Sequence, residues 1–126
     1  MEKFLSVMLC VVLAGSCSLT SPAFRDSVTA NLTTDISKAY SSKRGCHTVC
    51  YSACNDRDSI ESVYVAAQLS TGNGWVDYKG VKLPAGSDII VKSIGSENKT
   101  YLCRGVISTV SGGTGCSGQI TVDIIS

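Results

Sequence analysis

The sequence has few of the residues that enzymes use for acid–base chemistry. It contains one histidine, His47, in 126 residues, and no Ser-His-Asp set, phosphate-binding loop or metal-ligand cluster stands out. An excess of charge is also lacking, because 11 Lys and Arg residues face 10 Asp and Glu residues, for a net charge of +1. This balance argues against a strongly basic nucleic-acid clamp. We therefore expect a protein without catalysis, metal or cofactor.

Hydrophobic residues and cysteines are plentiful by comparison. The hydrophobic fraction is 44% and the charged fraction 17%, which excludes a disordered chain. Seven cysteines in a chain of this length point to an oxidising compartment, where they pair as disulfides more readily than they bind metal. The length predicts a single small domain.

The first 18 residues have the features of a signal peptide. Lys3 supplies the positive start, and the apolar run over residues 4–14 is too short to span a bilayer. Small residues follow, as a cleavage site requires. A bacterial lipid-attachment box ending at Cys17 is the alternative interpretation. No other apolar run is long enough for a membrane span, so we expect a secreted, extracellular protein.

Residues 19–44 are predicted to be a propeptide or a flexible arm. The segment is polar and ends in Lys43-Arg44, a dibasic pair that suits a processing protease of the secretory pathway. Two glycosylation sequons, at Asn31 and Asn98, favour secretion from a eukaryotic cell.

Residues 45–126 are predicted to form an α+β domain, with one N-terminal helix packed on a small antiparallel sheet. Asp58 and Glu61 have the spacing of a capping box. Apolar residues at helical spacing follow them, up to about Leu69, and these are Ile60, Val63, Tyr64 and Ala67. Strands are predicted over 88–94, 101–110 and 119–125, the first two joined as a hairpin by a turn over 96–99.

Three segments of this domain, in this order, resemble the small secreted guanyl-specific ribonucleases of fungi. They are Cys46-x3-Cys50-x3-Cys54 with the predicted helix, the turn and strand over 84–91, and Gly105-Val106-Ile107-Ser108-Thr109. The resemblance implies a disulfide-stapled domain in which Cys46 pairs with Cys54, and Cys50 with Cys116. Cys103 is the alternative partner for Cys50.

The resemblance does not extend to the chemistry of that family. Ile89 stands at the position of the family's arginine, and Thr109 at that of its acid histidine. The strands that carry the general base and the other histidine have no counterpart. Trp75 and Tyr78 remain as candidates for stacking on RNA or on a partner, although packing in the fold explains both equally well.

The resemblance therefore implies a ribonuclease-like virulence effector without catalytic residues. Such a protein is expected to be a secreted monomer that binds host RNA or a host protein to promote infection, without a membrane partner, and to act outside or inside host cells. Two alternatives stay open. One is an active guanyl-preferring endoribonuclease, for which the only candidate general bases are Glu61, Asp77 and Glu97. The other is a small toxin or defence protein released by cleavage after Arg44.

Overall fold

A computed structural model describes residues 25–46, 48–70, 72–95 and 101–125, and this part of the chain contains nine β-strands and no helix. The strands are β1 (Arg25–Leu32), β2 (Lys38–Tyr40), β3 (Arg44–Cys46), β4 (Thr48–Asn55), β5 (Val63–Ser70), β6 (Val76–Leu83), β7 (Asp88–Gly95), β8 (Tyr101–Thr109) and β9 (Gly118–Ile125).

The strands form two antiparallel sheets that pack as a sandwich. One sheet has the order β1-β9-β4-β7, and the other has the order β2-β8-β5-β6, with β3 continuing β2 along the same side of β8. Apart from β2–β3 and the β5–β6 hairpin, every connection between successive strands crosses from one sheet to the other. This order is that of a jelly roll.

The core lies between the sheets and is built by residues that alternate along each strand. On β5, Val63, Val65 and Ala67 point inward and are fully buried, while Tyr64 and Gln68 lie on the outer face. Each fully buried Val or Ile stabilises the fold by about 1.5–3 kcal/mol. The alternation therefore fixes which face of the five-stranded sheet is left to solvent.

The expected α+β domain with an N-terminal helix is wrong. The segment predicted to be helical contains β5, and Ile60, assigned to its apolar face, is 74% exposed. Glu61 does not cap a helix, because its carboxylate accepts hydrogen bonds from the backbone N–H and hydroxyl of Ser111. The ribonuclease-like resemblance, which depended on that helix, is overturned with it.

The predicted strands are confirmed as β7, β8 and β9, but the predicted hairpin is wrong. Strand β7 pairs with β4 in one sheet, whereas β8 pairs with β5 in the other. The chain between them therefore passes from one sheet to the other, and the turn predicted over 96–99 lies outside the described residues.

The prediction of a disulfide-stapled domain is also wrong. Cys46 and Cys116 carry free, buried thiols, so neither the bridge from Cys46 to Cys54 nor the one from Cys50 to Cys116 is present. Cys46 ends β3, while Cys54 lies at the far end of β4 opposite Asp88. The Cys46 sulfur instead hydrogen-bonds to Cys103 in the core.

Residues 25–44, predicted to be an arm or a propeptide, contribute β1 and β2 to the two sheets. Cleavage after Arg44 stays a prediction, as does the domain boundary at residue 45. The signal segment lies outside the described residues. No helix in the described ranges is long and apolar enough to cross a membrane.

Candidate binding face

The outer face of the five-stranded sheet carries a row of polar side chains that runs across three strands. Gln68 on β5 is directly opposite Arg104 on β8 on one side and Asp77 on β6 on the other. Because directly opposed residues share a face of the sheet, all three side chains point to the same outer surface.

A chain of hydrogen bonds fixes this row. The Arg104 Nε donates to Gln68 Oε1 at 2.8 Å, and the Gln68 amide donates to Asp77 Oδ1 at 2.7 Å. The hydroxyl of Tyr64 donates to the other Asp77 oxygen at 2.7 Å. Burial, together with the hydrogen bond to Asp77, raises the pKa of Tyr64 to about 12 and keeps its hydroxyl protonated as a donor.

Two aromatic rings pack against the guanidinium at the Arg104 end of the row. The Arg104 Cζ lies 4.1 Å from the ring centroid of Tyr40 and 4.1 Å from that of Trp75. The Lys38 Nζ lies 5.6 Å from the centroid of Tyr40. These are cation–π contacts. We call the set Tyr40, Gln68, Trp75, Asp77 and Arg104 the platform.

Trp75 reaches the platform because of the turn that precedes β6. Gly72 and Gly74 have φ values of +116° and +100°, which a side chain would disfavour. The turn ends immediately before β6 and leaves the indole half-buried against Arg104. The other ring, Tyr40, is 47% exposed and is the more open of the two rings.

Of the two aromatic residues predicted to contact RNA or a partner, the structure brings one to the platform. Trp75 belongs to it, whereas Tyr78 is opposite the inward-facing Ala67 at the edge of the sheet and is 37% exposed. Asp77, considered as a catalytic base, is a hydrogen-bond acceptor of the platform.

The remaining candidate residues lie elsewhere and form no common site. Ile89 is half-buried on β7, while the Thr109 hydroxyl, on the other sheet, donates to the Gly113 carbonyl at 2.7 Å.

The residues predicted to be modified or processed are also outside the platform. Asn31 is exposed on β1. The sequon at Asn98 and the single histidine lie outside the described residues. Arg44 pairs with Asp26 at 2.8 Å and lowers the pKa of that carboxyl.

Sequence reasoning missed three platform residues, namely Tyr40, Gln68 and Arg104. Tyr40 falls in the segment predicted to be an arm, and Gln68 in the segment predicted to be a helix. The signal that could have found Gln68 is the two-residue alternation of apolar side chains from Val63 to Leu69, which places Gln68 on the outer face of a strand.

A cleft of about 400 Å³ lies at one end of the other sheet, between the ends of β1 and β4 and the start of β9. Two of its buried lining side chains, Asp56 and Gln119, each have one oxygen without a hydrogen-bond partner in the described part of the chain. Within those residues, no group of three or more His, Cys, Asp or Glu side chains is placed to hold a metal ion. The cleft is separate from the platform.

No protein-family model matches the chain, and no curated protein matches it significantly in sequence. Its fold is similar to solved all-β structures. Bacillus endospore appendages, described as disulfide-linked pili, are 12% identical over 81% of this chain and 87% of theirs, with a TM-score of 0.50. TmCBM61, solved in complex with β-1,4-galactotriose, is 14% identical over 84% of this chain and 90% of its own, with a TM-score of 0.49.

PirA is 12% identical over 79% of this chain and 93% of its own, with a TM-score of 0.48. The likeness to the endospore appendages concerns the fold alone and does not transfer a function. The pilus structure is an all-β fold, in agreement with the two antiparallel sheets of this chain.

Proposed function

We propose that this protein is a non-catalytic binding module that recognises a saccharide through the platform on the outer face of its five-stranded sheet. The observation that carries the proposal is the packing of Arg104 against the rings of Tyr40 and Trp75 at a solvent-facing surface. Secretion of the protein remains a prediction from its sequence.

The composition of the platform matches the chemistry of a sugar ring. A pyranose has a face of C–H groups, which packs on the negative face of an aromatic ring, and an edge of hydroxyl groups, which needs donors and acceptors. Tyr40 supplies an open ring, while Gln68 and Arg104 supply polar groups held by hydrogen bonds. A few fixed polar groups beside apolar surface are what orient a small ligand.

The charge of the platform argues against host RNA as the ligand. Single-stranded RNA is held by a groove of several cations that follows the phosphates. Among the described residues, only Lys38 and Arg104 are cations in contact with the exposed rings, and the whole chain has a net charge of +1. The binding of RNA expected from the sequence therefore has little support from the platform.

A second candidate is the host protein partner expected from the sequence. Tyr, Trp and Arg are the residues that most often dominate binding energy at protein interfaces. Leu102, two residues from Arg104 on β8, is 46% exposed and adds apolar surface beside the platform. The platform has five residues, whereas a specific interface takes about 20–30 residues a side, so we place the saccharide first.

The test is affinity gel electrophoresis of the full chain in gels that contain a soluble polysaccharide. We expect retardation by at least one polymer of a panel of neutral and acidic polysaccharides. Tyr40→Ala removes the open ring and should weaken binding about tenfold, because stacking on an aromatic ring contributes about 1–3 kcal/mol.

Tyr78→Ala is the matched control, because Tyr78 is an exposed tyrosine of the same sheet outside the platform. It should bind like the wild type. If no polysaccharide retards the wild-type protein, or if Tyr40→Ala binds as the wild type does, the proposed function is wrong.

A further inference from the structure

The terminal amino groups of Arg104 have no hydrogen-bond acceptor in the part of the chain that the structure describes. The hydrogen bond that Arg104 donates to Gln68 comes from its Nε and leaves both terminal nitrogens open. The side chain is only half-exposed, and the rings of Tyr40 and Trp75 pack against its guanidinium group. A guanidinium fixed in this way presents two parallel N–H groups, the arrangement that binds a carboxylate in a bidentate manner.

Asp77, the acidic residue of the platform, makes no ion pair with Arg104, because Gln68 lies between them and bonds to both. Both oxygens of Asp77 are engaged, one by Gln68 and the other by Tyr64. On the opposite side of Arg104, the ammonium of Lys38 lies near the same Tyr40 ring. The open end of the platform, between β2 and β8, therefore has two cations and no described carboxylate within hydrogen-bond distance.

We propose that the saccharide bound by the platform is acidic, with a uronate carboxylate placed on the terminal N–H groups of Arg104 and its sugar ring on Tyr40. This inference rests on the proposed function and specifies its ligand. A bidentate carboxylate satisfies the donors that Arg104 leaves open, and the second cation, Lys38, adds attraction at the same end. A neutral sugar on the Tyr40 ring would cover Arg104 without pairing its charge.

The probes are two polymers that differ in charge, polygalacturonate and the same polymer fully methyl-esterified. Binding to the full chain is measured by affinity gel electrophoresis, with single-stranded polyuridylate as a further polyanion. We expect polygalacturonate to bind about tenfold or more tightly than the ester, because a hydrogen bond to a charged group is stronger than one to a neutral group.

Arg104→Gln should remove this preference, lowering affinity for polygalacturonate about tenfold and changing affinity for the ester about twofold at most. Lys82→Gln is the control, since Lys82 is an exposed cation of the same sheet, opposite Tyr64 and outside the platform. It should keep the preference for the acid.

A second measurement needs no variant. Raising the ionic strength from about 0.01 M to about 0.15 M shortens the Debye length from about 30 Å to about 8 Å, so it should weaken binding of the acid and leave binding of the ester almost unchanged. Equal binding of acid and ester, tighter binding of polyuridylate than of polygalacturonate, or insensitivity to salt would overturn the inference. Binding of the ester alone would overturn it and leave the proposed function intact, whereas binding of neither polymer nor any other polysaccharide would overturn both.

Discussion

Arg104 is held by one hydrogen bond and by two aromatic rings. A surface arginine held in one geometry can select a ligand by the positions of the ligand's acceptor atoms. Its Nε is held by Gln68, which is held in turn by Asp77, and its guanidinium packs against the rings of Tyr40 and Trp75. A long side chain held in one geometry has already lost rotamer entropy before a ligand arrives. The platform is therefore preorganised at the level of single side chains.

The hydrogen bond from Tyr64 to Asp77 should make the free energy of unfolding decrease as the pH rises in the alkaline range. The pKa of Tyr64 is raised from 10.0 to about 12 in the folded protein, so the folded state holds its proton over a range in which the unfolded chain has lost it. The contribution is complete below pH 10 and is lost as the pH rises to about 12.

Tyr64→Phe tests this, with urea unfolding measured at several pH values. The variant should lose less stability than the wild type as the pH rises through this range. Comparing the two proteins cancels the titration of the lysines, which they share. Parallel curves for the two proteins would show that Tyr64 is not held protonated by the fold.

At the level of elements, the sequence predicts where strands lie better than it predicts how they pair. Strands β7, β8 and β9 follow from their β-branched residues and flanking turns. The segment from Ile60 to Leu69 resembles a helix because its apolar residues satisfy helical spacing and two-residue alternation at once, and a long-range partner, β8, decides between them. The disulfides implied by the resemblance failed with it, because a local cysteine pattern does not show which strands bring two cysteines together.

The pairing of β4 with β9 depends on close contact at Gly118. A Cβ added there would overlap the Cys54 carbonyl oxygen, a backbone atom that cannot move without opening the ladder. Gly118→Ala should therefore destabilise the protein by about 3 kcal/mol or more.

Gly113→Ala is the matched control, because the nearest atom to an added Cβ is the Ser111 hydroxyl oxygen at 3.3 Å, at the end of an exposed side chain. Its unfolding free energy, measured in urea, should stay within about 0.5 kcal/mol of the wild type. If the two variants were equally stable, the described register of β4 against β9 would be wrong.

At the scale of the whole molecule, strand β1 is a part of the folded domain. Strand β1 pairs with β9 along its length and contributes Val28, Ala30 and Leu32 to the core. Burial of an aliphatic side chain stabilises by about 1.5–3 kcal/mol, and a small domain has only about 5–15 kcal/mol in total. The segment predicted to be a propeptide or a flexible arm thus contributes strands to the sandwich.

We expect residues 45–126, expressed alone, not to fold, whereas residues 25–126 should unfold cooperatively in urea and show a β-sheet circular dichroism spectrum. After cleavage at Arg44, the protein would then stay folded only if the segment with β1 and β2 remained bound without a covalent link. A cooperative unfolding transition for residues 45–126 would show that β1 is dispensable.

The most direct test of the platform uses the single tryptophan of the chain, Trp75, which packs on Arg104. Its fluorescence is recorded while the full-length protein is titrated with a polysaccharide that retards it in affinity gels. We expect a saturable change in Trp75 emission whose midpoint agrees with the affinity from the gels, and a shift of that midpoint to about tenfold higher concentration in Tyr40→Ala. Binding in the gels without any change in Trp75 emission would place the ligand elsewhere and contradict the assignment of the platform as the binding face.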